Sequence, residues 1–177
     1  MAPNMIDKKY IFVPDMNLDL DRLKEIVFRN LNSLEPNLAT HQRYVDKESY
    51  LVELRKQFPF LSKLYNIYPT SPGYTVPIHI CPNRGCALNI PIQYTEDSYT
   101  VFYEPKDKLE MTYSVPRIYH IIESEMTEVY RYTLTEPVIM NTKLPHGVFG
   151  GPKMTRIIMS WSITPEYEDT KRLVGML

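Results

Sequence analysis

The sequence predicts a mainly β fold with N-terminal helices, built as a sandwich or barrel of the jelly-roll kind. Two observations carry this expectation. Ten of the 15 prolines follow residue 70, where they exclude long helices because an interior proline breaks the helical hydrogen-bond ladder. Between these prolines lie short runs rich in Val, Ile, Thr and Tyr, the residue types that favour strands.

Length and charge limit the functional classes. The chain has 177 residues, with 20 Lys and Arg against 21 Asp and Glu, which gives a net charge of −1. A nucleic-acid binder driven by phosphate neutralisation needs a basic face, so we expect no nucleic-acid partner. We predict a single domain over residues 1–177. Residues 1–70 form a mostly helical support, 71–165 the jelly-roll core and 166–177 a C-terminal tail.

The N-terminal residues predict a cytoplasmic protein. Residues 1–10 include Asp7, Lys8 and Lys9 and no apolar run, unlike a signal peptide. Nowhere does the sequence have the roughly 20 consecutive apolar residues that a membrane helix needs. Two cysteines are too few for a disulfide scaffold, which favours a reducing compartment.

The first third predicts one strand and three helices. Residues 9–13 form a short apolar run that favours a strand. Acidic residues around Asp19 then favour the start of a helix, because they lie near its positive end. Its apolar stripe repeats every three or four residues, at Leu20, Leu23, Val27, Leu31 and Leu34. A second helix is predicted over residues 46–57 and a short third one over residues 61–69, ending at a proline.

The remainder predicts eight strands separated by prolines and turns. They cover residues 74–81, 86–94, 99–104, 109–115, 117–123, 128–135, 138–142 and 154–163. Strands of this length and spacing support a sandwich or barrel rather than a helical bundle.

Four histidines are candidates for metal binding or acid–base chemistry. His41 lies in a polar segment and His120 among apolar strand residues, so both favour structural roles. His79 and His146 instead stand beside proline or glycine at strand edges, where a side chain can point into the mouth of a barrel. Their separation along the chain does not by itself establish a shared metal.

Arg156 is the candidate anion-binding residue. Because alternate residues of a strand share a face, Arg156, Ile158 and Ser160 point one way and their neighbours the other. An arginine inside a barrel is costly unless it pairs with an anion. Its planar guanidinium matches a ligand carboxylate, but a salt bridge to Glu128 or Glu136 is an equally open interpretation.

Three short motifs carry a family resemblance. They are His79-Ile-Cys-Pro-Asn-Arg-Gly-Cys-Ala-Leu-Asn89-Ile-Pro, then Pro-His146-Gly-Val, then Arg156 ten residues later. This order resembles the iron(II)- and 2-oxoglutarate-dependent oxygenases over about residues 70 to 165. It is most similar to the aspartyl/asparaginyl β-hydroxylase-like group and to small phage-borne relatives.

The resemblance implies a fold, a reaction and a set of roles. The family fold is a double-stranded β-helix, a cupin-like jelly roll. The implied reaction hydroxylates a C–H bond of a peptide side chain or small molecule, using Fe(II), 2-oxoglutarate and O2. His79 and His146 would bind the metal and Arg156 the distal carboxylate of 2-oxoglutarate, while Asn89 and Ser160 would line the co-substrate pocket. Tyr94, Tyr103 and Trp161 are weaker candidates for the mouth.

Cys81 departs from the family pattern, which usually has an acidic metal ligand two residues after the first histidine. The β-hydroxylases resemble this chain because they hold iron with two histidines alone. We therefore expect the Cys81 sulfur to lie near the metal without being a tight iron ligand. Two alternatives remain: a catalytically inactive jelly-roll binding or structural module, and a zinc or nickel cupin-type enzyme, because thiolate is a good zinc ligand.

Overall fold

A computed structural model describes residues 6–31, 42–45, 47–81, 84–106, 112–115, 118–120 and 126–174. These ranges contain twelve strands and three helices. The strands are β1 Ile11–Phe12, β2 Gln42–Val45, β3 Leu61–Thr70, β4 Thr75–Ile80, β5 Cys86–Gln93, β6 Tyr99–Pro105, β7 Thr112–Val115, β8 Ile118–His120, β9 Met126–Tyr132, β10 Val138–Met140, β11 His146–Phe149 and β12 Arg156–Ile163. The helices are α1 Leu20–Leu31, α2 Ser49–Gln57 and α3 Tyr167–Leu173.

The strands form two six-stranded antiparallel sheets. Sheet 1 has the order β1-β10-β5-β12-β3-β2, and sheet 2 has the order β7-β8-β4-β11-β6-β9. Successive strands alternate between the sheets from β3 to β6 and again from β9 to β12. This two-sheet arrangement confirms the predicted mainly β jelly roll.

The two faces of β12 show which side of sheet 1 looks inward. Ile157, Met159 and Trp161 pack in one cluster with residues of α1 and α2, so the helices cover this outer face. Ile158 instead packs with Phe102 and other residues of both sheets. Because side chains alternate along a strand, Arg156 and Ser160 share this inner face, as the sequence predicts.

The predicted third helix is wrong, because residues 61–70 form β3. Its apolar residues fit a helical stripe, but the segment lies between β12 and β2 and pairs with both. Tyr65 and Ile67 pack beneath the helices, so the intervening Asn66 takes the inner face. Tertiary pairing overrides the local helical spacing, and these residues belong to a sheet rather than to a helical support.

Other boundaries agree with the sequence to within a few residues. α1 begins at Leu20 and α2 ends at Gln57, as predicted. The sequence did not predict β2, β11 or α3, and α3 occupies residues expected to form a tail. Within the described ranges, no helix combines the length and apolarity needed to cross a membrane.

Candidate metal centre

Strand pairing brings His79 and His146 together. They are register partners on the antiparallel strands β4 and β11. Their ring centroids lie 4.4 Å apart. Sixty-seven residues of sequence separate them, so the approach depends on the long-range pairing of two sheet 2 strands. The site residues predicted at strand edges therefore meet at one place.

Both imidazoles have the same backbone partner arrangement. The Nδ1 of His79 lies 2.8 Å from the carbonyl oxygen of Pro77, and that of His146 lies 2.8 Å from the carbonyl oxygen of Leu144. Since a carbonyl only accepts, each Nδ1 carries the hydrogen and donates it. The lone pair then resides on Nε2, which is the form in which a neutral histidine binds a metal.

Cys81 supplies a third donor atom. Its sulfur and the nearest ring nitrogens of His79 and His146 all lie within 4.8 Å of one another. The backbone N–H of Cys81 donates to the carbonyl of Thr142 at 2.9 Å, which fixes the residue just beyond β4. The Cys81 sulfur therefore lies beside the two imidazoles, and its proximity to a bound metal stays a prediction.

The pKa values of Cys81 and His146 are shifted in the direction that favours binding of a cation. Burial raises the pKa of the Cys81 thiol, but its close contacts with His146 and His79 and the charge of Arg84 outweigh burial and lower the pKa to about 4. Burial and the adjacent His79 lower the pKa of His146 and favour its neutral form. Two imidazole nitrogens and one sulfur form a donor set that suits iron, nickel or zinc.

Arg156 lies on the inner face of sheet 1, and none of the described aspartates or glutamates is buried beside it. It is 3% exposed. Its Nε has no hydrogen-bond partner among the described residues. Burial lowers its pKa to about 10, although the nearby Tyr132 hydroxyl raises it. Of the two acids considered from the sequence, Glu128 pairs with Arg131 at 2.7 Å and Glu136 is exposed.

The predicted pocket residues share the inner face with Arg156. Ser160 and Asn89 are cross-strand partners on β12 and β5 and are 1% and 5% exposed. Asn89 Nδ2 donates to the sulfur of Met140 at 3.7 Å. On its other side Ser160 is the register partner of Asn66. A row of small polar side chains therefore crosses sheet 1 at this level.

Arg84 is a site residue that sequence reasoning missed. Its Nη1 donates to Ser160 Oγ at 3.3 Å and its Nη2 to Cys81 Sγ at 3.5 Å. Burial lowers its pKa, but the Cys81 and Tyr68 groups outweigh this and raise it, so the guanidinium stays charged. An arginine three residues after Cys81 and two residues before a largely buried strand was the available signal.

Several weaker candidates lie elsewhere. Trp161 packs beneath the helices, where its indole N–H donates to the carbonyl of Ser62 at 2.6 Å. Tyr103 packs with Ile78 in a separate cluster. The assignment of these two aromatics to the mouth is therefore wrong. His41 lies outside the described residues, as does the side chain of His120, whose backbone pairs with His79.

Three solved structures are similar to this chain at 11–12% sequence identity. HygX from Streptomyces hygroscopicus, crystallised with nickel and 2-oxoglutarate bound, superposes with a TM-score of 0.51 and 11% identity over 88% of this chain and 81% of HygX. A Pseudomonas putida prolyl-4-hydroxylase superposes with a TM-score of 0.49 and 12% identity, over 88% of this chain and 91% of the hydroxylase. EvdO2 from Micromonospora carbonacea var. aurantiaca superposes with a TM-score of 0.49 and 11% identity, over 92% of this chain and 94% of EvdO2. No family model matches the sequence, and neither does any curated protein.

Proposed function

We propose that this chain is an Fe(II)- and 2-oxoglutarate-dependent oxygenase that hydroxylates a C–H bond of a peptide side chain or small molecule. The observation that carries the proposal is Arg156, a buried cation on the inner face whose Nε has no partner among the described residues. Leaving such a group unpaired is costly, which indicates that an anionic ligand completes its hydrogen bonding.

The residues present fit the two groups that this activity requires. Nε2 of His79 and of His146 would hold the metal, with the Cys81 sulfur beside it. The guanidinium of Arg156 would hold the distal carboxylate of 2-oxoglutarate through two parallel hydrogen bonds. When bound, iron and 2-oxoglutarate together supply the oxidation in which O2 hydroxylates the C–H bond and 2-oxoglutarate becomes succinate and CO2.

The protein itself supplies position and a dry environment. Asn89 and Ser160 offer hydrogen-bonding groups on the same inner face as Arg156. Phe102 and Ile158 lie in the buried apolar cluster between the sheets and exclude water. Exclusion of water strengthens the attraction between Arg156 and a carboxylate, because the effective dielectric constant is lower there.

The shared jelly roll adds support at the level of the fold. HygX combines this fold with bound nickel and 2-oxoglutarate. In this proposal the donor atoms of His79, Cys81 and His146 would hold the metal, and Arg156 would hold the anion. Both imidazoles direct Nδ1 to a backbone carbonyl and so leave Nε2 available for a metal. A catalytically inactive jelly-roll module does not require this arrangement, so it counts against that alternative.

One observation favours a second candidate, a zinc or nickel enzyme of the cupin type. Cys81 lies where the oxygenases usually have a carboxylate, and sulfur is a better ligand for zinc than for catalytic ferrous iron. The Cys81 sulfur is within 4.8 Å of both imidazole donors. In that case the metal would bind tightly without any 2-oxoglutarate.

An anaerobic titration separates these functions. Calorimetry would measure Fe(II) binding with and without 2-oxoglutarate. We expect one Fe(II) per chain, bound at least tenfold more tightly when the co-substrate is present, because the two ligands share a site. Arg156→Gln should remove the enhancement, whereas Arg131→Gln, at an exposed ion pair, should keep it.

Two results contradict the oxygenase proposal. Absence of Fe(II) binding would favour the inactive module. Tight Zn(II) binding that 2-oxoglutarate does not alter, combined with weak Fe(II) binding, would favour the zinc enzyme.

A further inference from the structure

The inner face carries a second cation that the proposed co-substrate contact does not use. Arg84 contacts Ser160 of sheet 1 with one nitrogen and Cys81 beside the metal position with another. Within the part of the chain that the structure describes, the guanidinium also interacts with the Tyr68 hydroxyl. Within the described ranges no aspartate or glutamate is buried. Carboxylates of the described protein residues therefore do not neutralise this guanidinium.

Arg84 and Arg156 lie at different levels of the site. Arg84 binds Ser160, and Arg156 is four residues earlier on the same strand face. At about 3.3 Å per residue, the Cα atoms of Ser160 and Arg156 are roughly 13 Å apart. Arg84 is thus the cation beside the metal ligands, and Arg156 is the cation at the start of β12.

The balance of charge calls for a second anion. Arg84 and Arg156 are two separate guanidinium groups on the inner face, and 2-oxoglutarate at Arg156 would pair with only one of them. The positive charge of Arg84 would then lack a carboxylate partner among the described residues, in an interior of low dielectric constant. Unpaired charge in such an interior is costly. A substrate carboxylate at Arg84 would neutralise it.

The side-chain oxygen of Asn66 indicates which second group the ligand carries beside its carboxylate. Asn66 is 5% exposed, and its Oδ1 has no hydrogen-bond partner among the described residues. Asn66 is the register partner of Ser160, so its side chain lies beside the group that Arg84 contacts. A ligand that satisfies both residues carries a carboxylate and an N–H or O–H donor close to it.

We propose that Arg84, Ser160 and Asn66 form a second carboxylate subsite, which binds the substrate of the oxygenase. The substrate class is an α-amino or α-hydroxy acid, either free, N-acylated or at the end of a peptide. The inference rests on the proposed function, because it assigns the second anion to the molecule that is oxidised. Arg84 supplies the planar fork for the carboxylate, and Asn66 accepts the adjacent hydrogen.

Matched acids and amides test the subsite directly. The probes are N-acetylglycine and lactate, each compared with its primary amide, titrated by NMR into protein loaded with Ni(II) and 2-oxoglutarate. Nickel keeps the complex from turning over. We expect at least one acid to bind tenfold or more tightly than its amide. Equal binding of acids and amides, or no binding of either acid, would overturn the proposal without any variant.

Variants of Arg84 test whether this residue causes the preference for acids over amides. Arg84→Gln should reduce the preference for acid to less than threefold, and Arg84→Lys should retain part of it as a point charge. Arg131→Gln removes an arginine from an exposed ion pair on β9 and should keep the full preference. A full preference in folded Arg84→Gln, checked by circular dichroism, would refute the role of Arg84.

The affinity for 2-oxoglutarate shows whether Arg84 binds a carboxylate of the substrate or one of the co-substrate. In Ni(II)-loaded Arg84→Gln we expect this affinity to stay within threefold of the unmodified protein. A loss of tenfold or more, equal to that of Arg156→Gln, would assign Arg84 to the co-substrate and overturn the proposal. If the unmodified protein binds no 2-oxoglutarate, the proposed function fails, while the acid preference measured with Ni(II) alone still judges the subsite.

Discussion

Replacing Arg156 with methionine should stabilise the ligand-free protein. The guanidinium is 3% exposed and lacks a carboxylate partner among the described residues. Burial lowers its pKa from 12.5 to about 10. At about 1.4 kcal/mol for each pKa unit, the folded protein carries a penalty of about 3 kcal/mol. Because pH 7 lies below both values, the whole penalty is present there and declines only as the pH rises through about 10.

Methionine keeps an unbranched apolar stem and removes the charge. It is shorter than arginine, so a small cavity offsets about 1 kcal/mol of the gain. We therefore expect the free energy of unfolding to rise by about 2 kcal/mol in Arg156→Met. Urea denaturation would show this as a higher midpoint with an unchanged m value.

The control is Arg131→Met. Arg131 forms an exposed ion pair with Glu128, and exposed pairs contribute about 0–1 kcal/mol, so this variant should lose stability slightly. Both proteins keep the metal-binding histidines, so Ni(II) should stabilise them alike. Adding saturating 2-oxoglutarate should then reverse the order of stability, because a ligand at 100 times its Kd adds about 2.7 kcal/mol and only the unmodified protein keeps Arg156 to bind it. A loss of 1 kcal/mol or more in ligand-free Arg156→Met would refute the reasoning and indicate a protein partner for the guanidinium.

Three further predictions concern the metal donors and their support. Cys81→Ala should keep Fe(II) binding within a few-fold, whereas His79→Ala should abolish it in anaerobic calorimetry; equal losses would make Cys81 a ligand and favour zinc. In native metal-free protein a maleimide should label Cys81 faster than Cys86, whose pKa burial raises to about 11, and mass spectrometry showing equal rates would contradict this. Gly85→Ala should cost at least about 2 kcal/mol in urea denaturation, because a Cβ would lie 2.0 Å from the Pro165 carbonyl oxygen; a neutral variant would contradict this packing.

Much of the architecture could be predicted because proline and residue type limit the local choices. Ten prolines after residue 70 exclude long helices there, and the intervening runs formed strands near their predicted positions. The alternation along β12 placed Arg156 and Ser160 on one face from spacing alone. Such predictions succeed where one local property, strand periodicity, decides the outcome.

The errors arise where distant residues decide. The apolar spacing of residues 61–69 suits a helix, and only the flanking strands β2 and β12 make it a strand. β11 has four residues including Gly147, too few to give a periodic signal. Arg84 lies between two predicted strands, and its role depends on Ser160, 76 residues away. Contacts across such separations leave no local pattern.

The most direct test of the central claim is a crystal structure of the protein grown anaerobically with Fe(II) and 2-oxoglutarate. We predict one metal ion about 2.1 Å from Nε2 of both His79 and His146. The distal carboxylate of 2-oxoglutarate should pair with the Arg156 guanidinium. Imidazoles without metal, or a carboxylate bound away from Arg156, would contradict the proposal that this chain is a 2-oxoglutarate-dependent oxygenase.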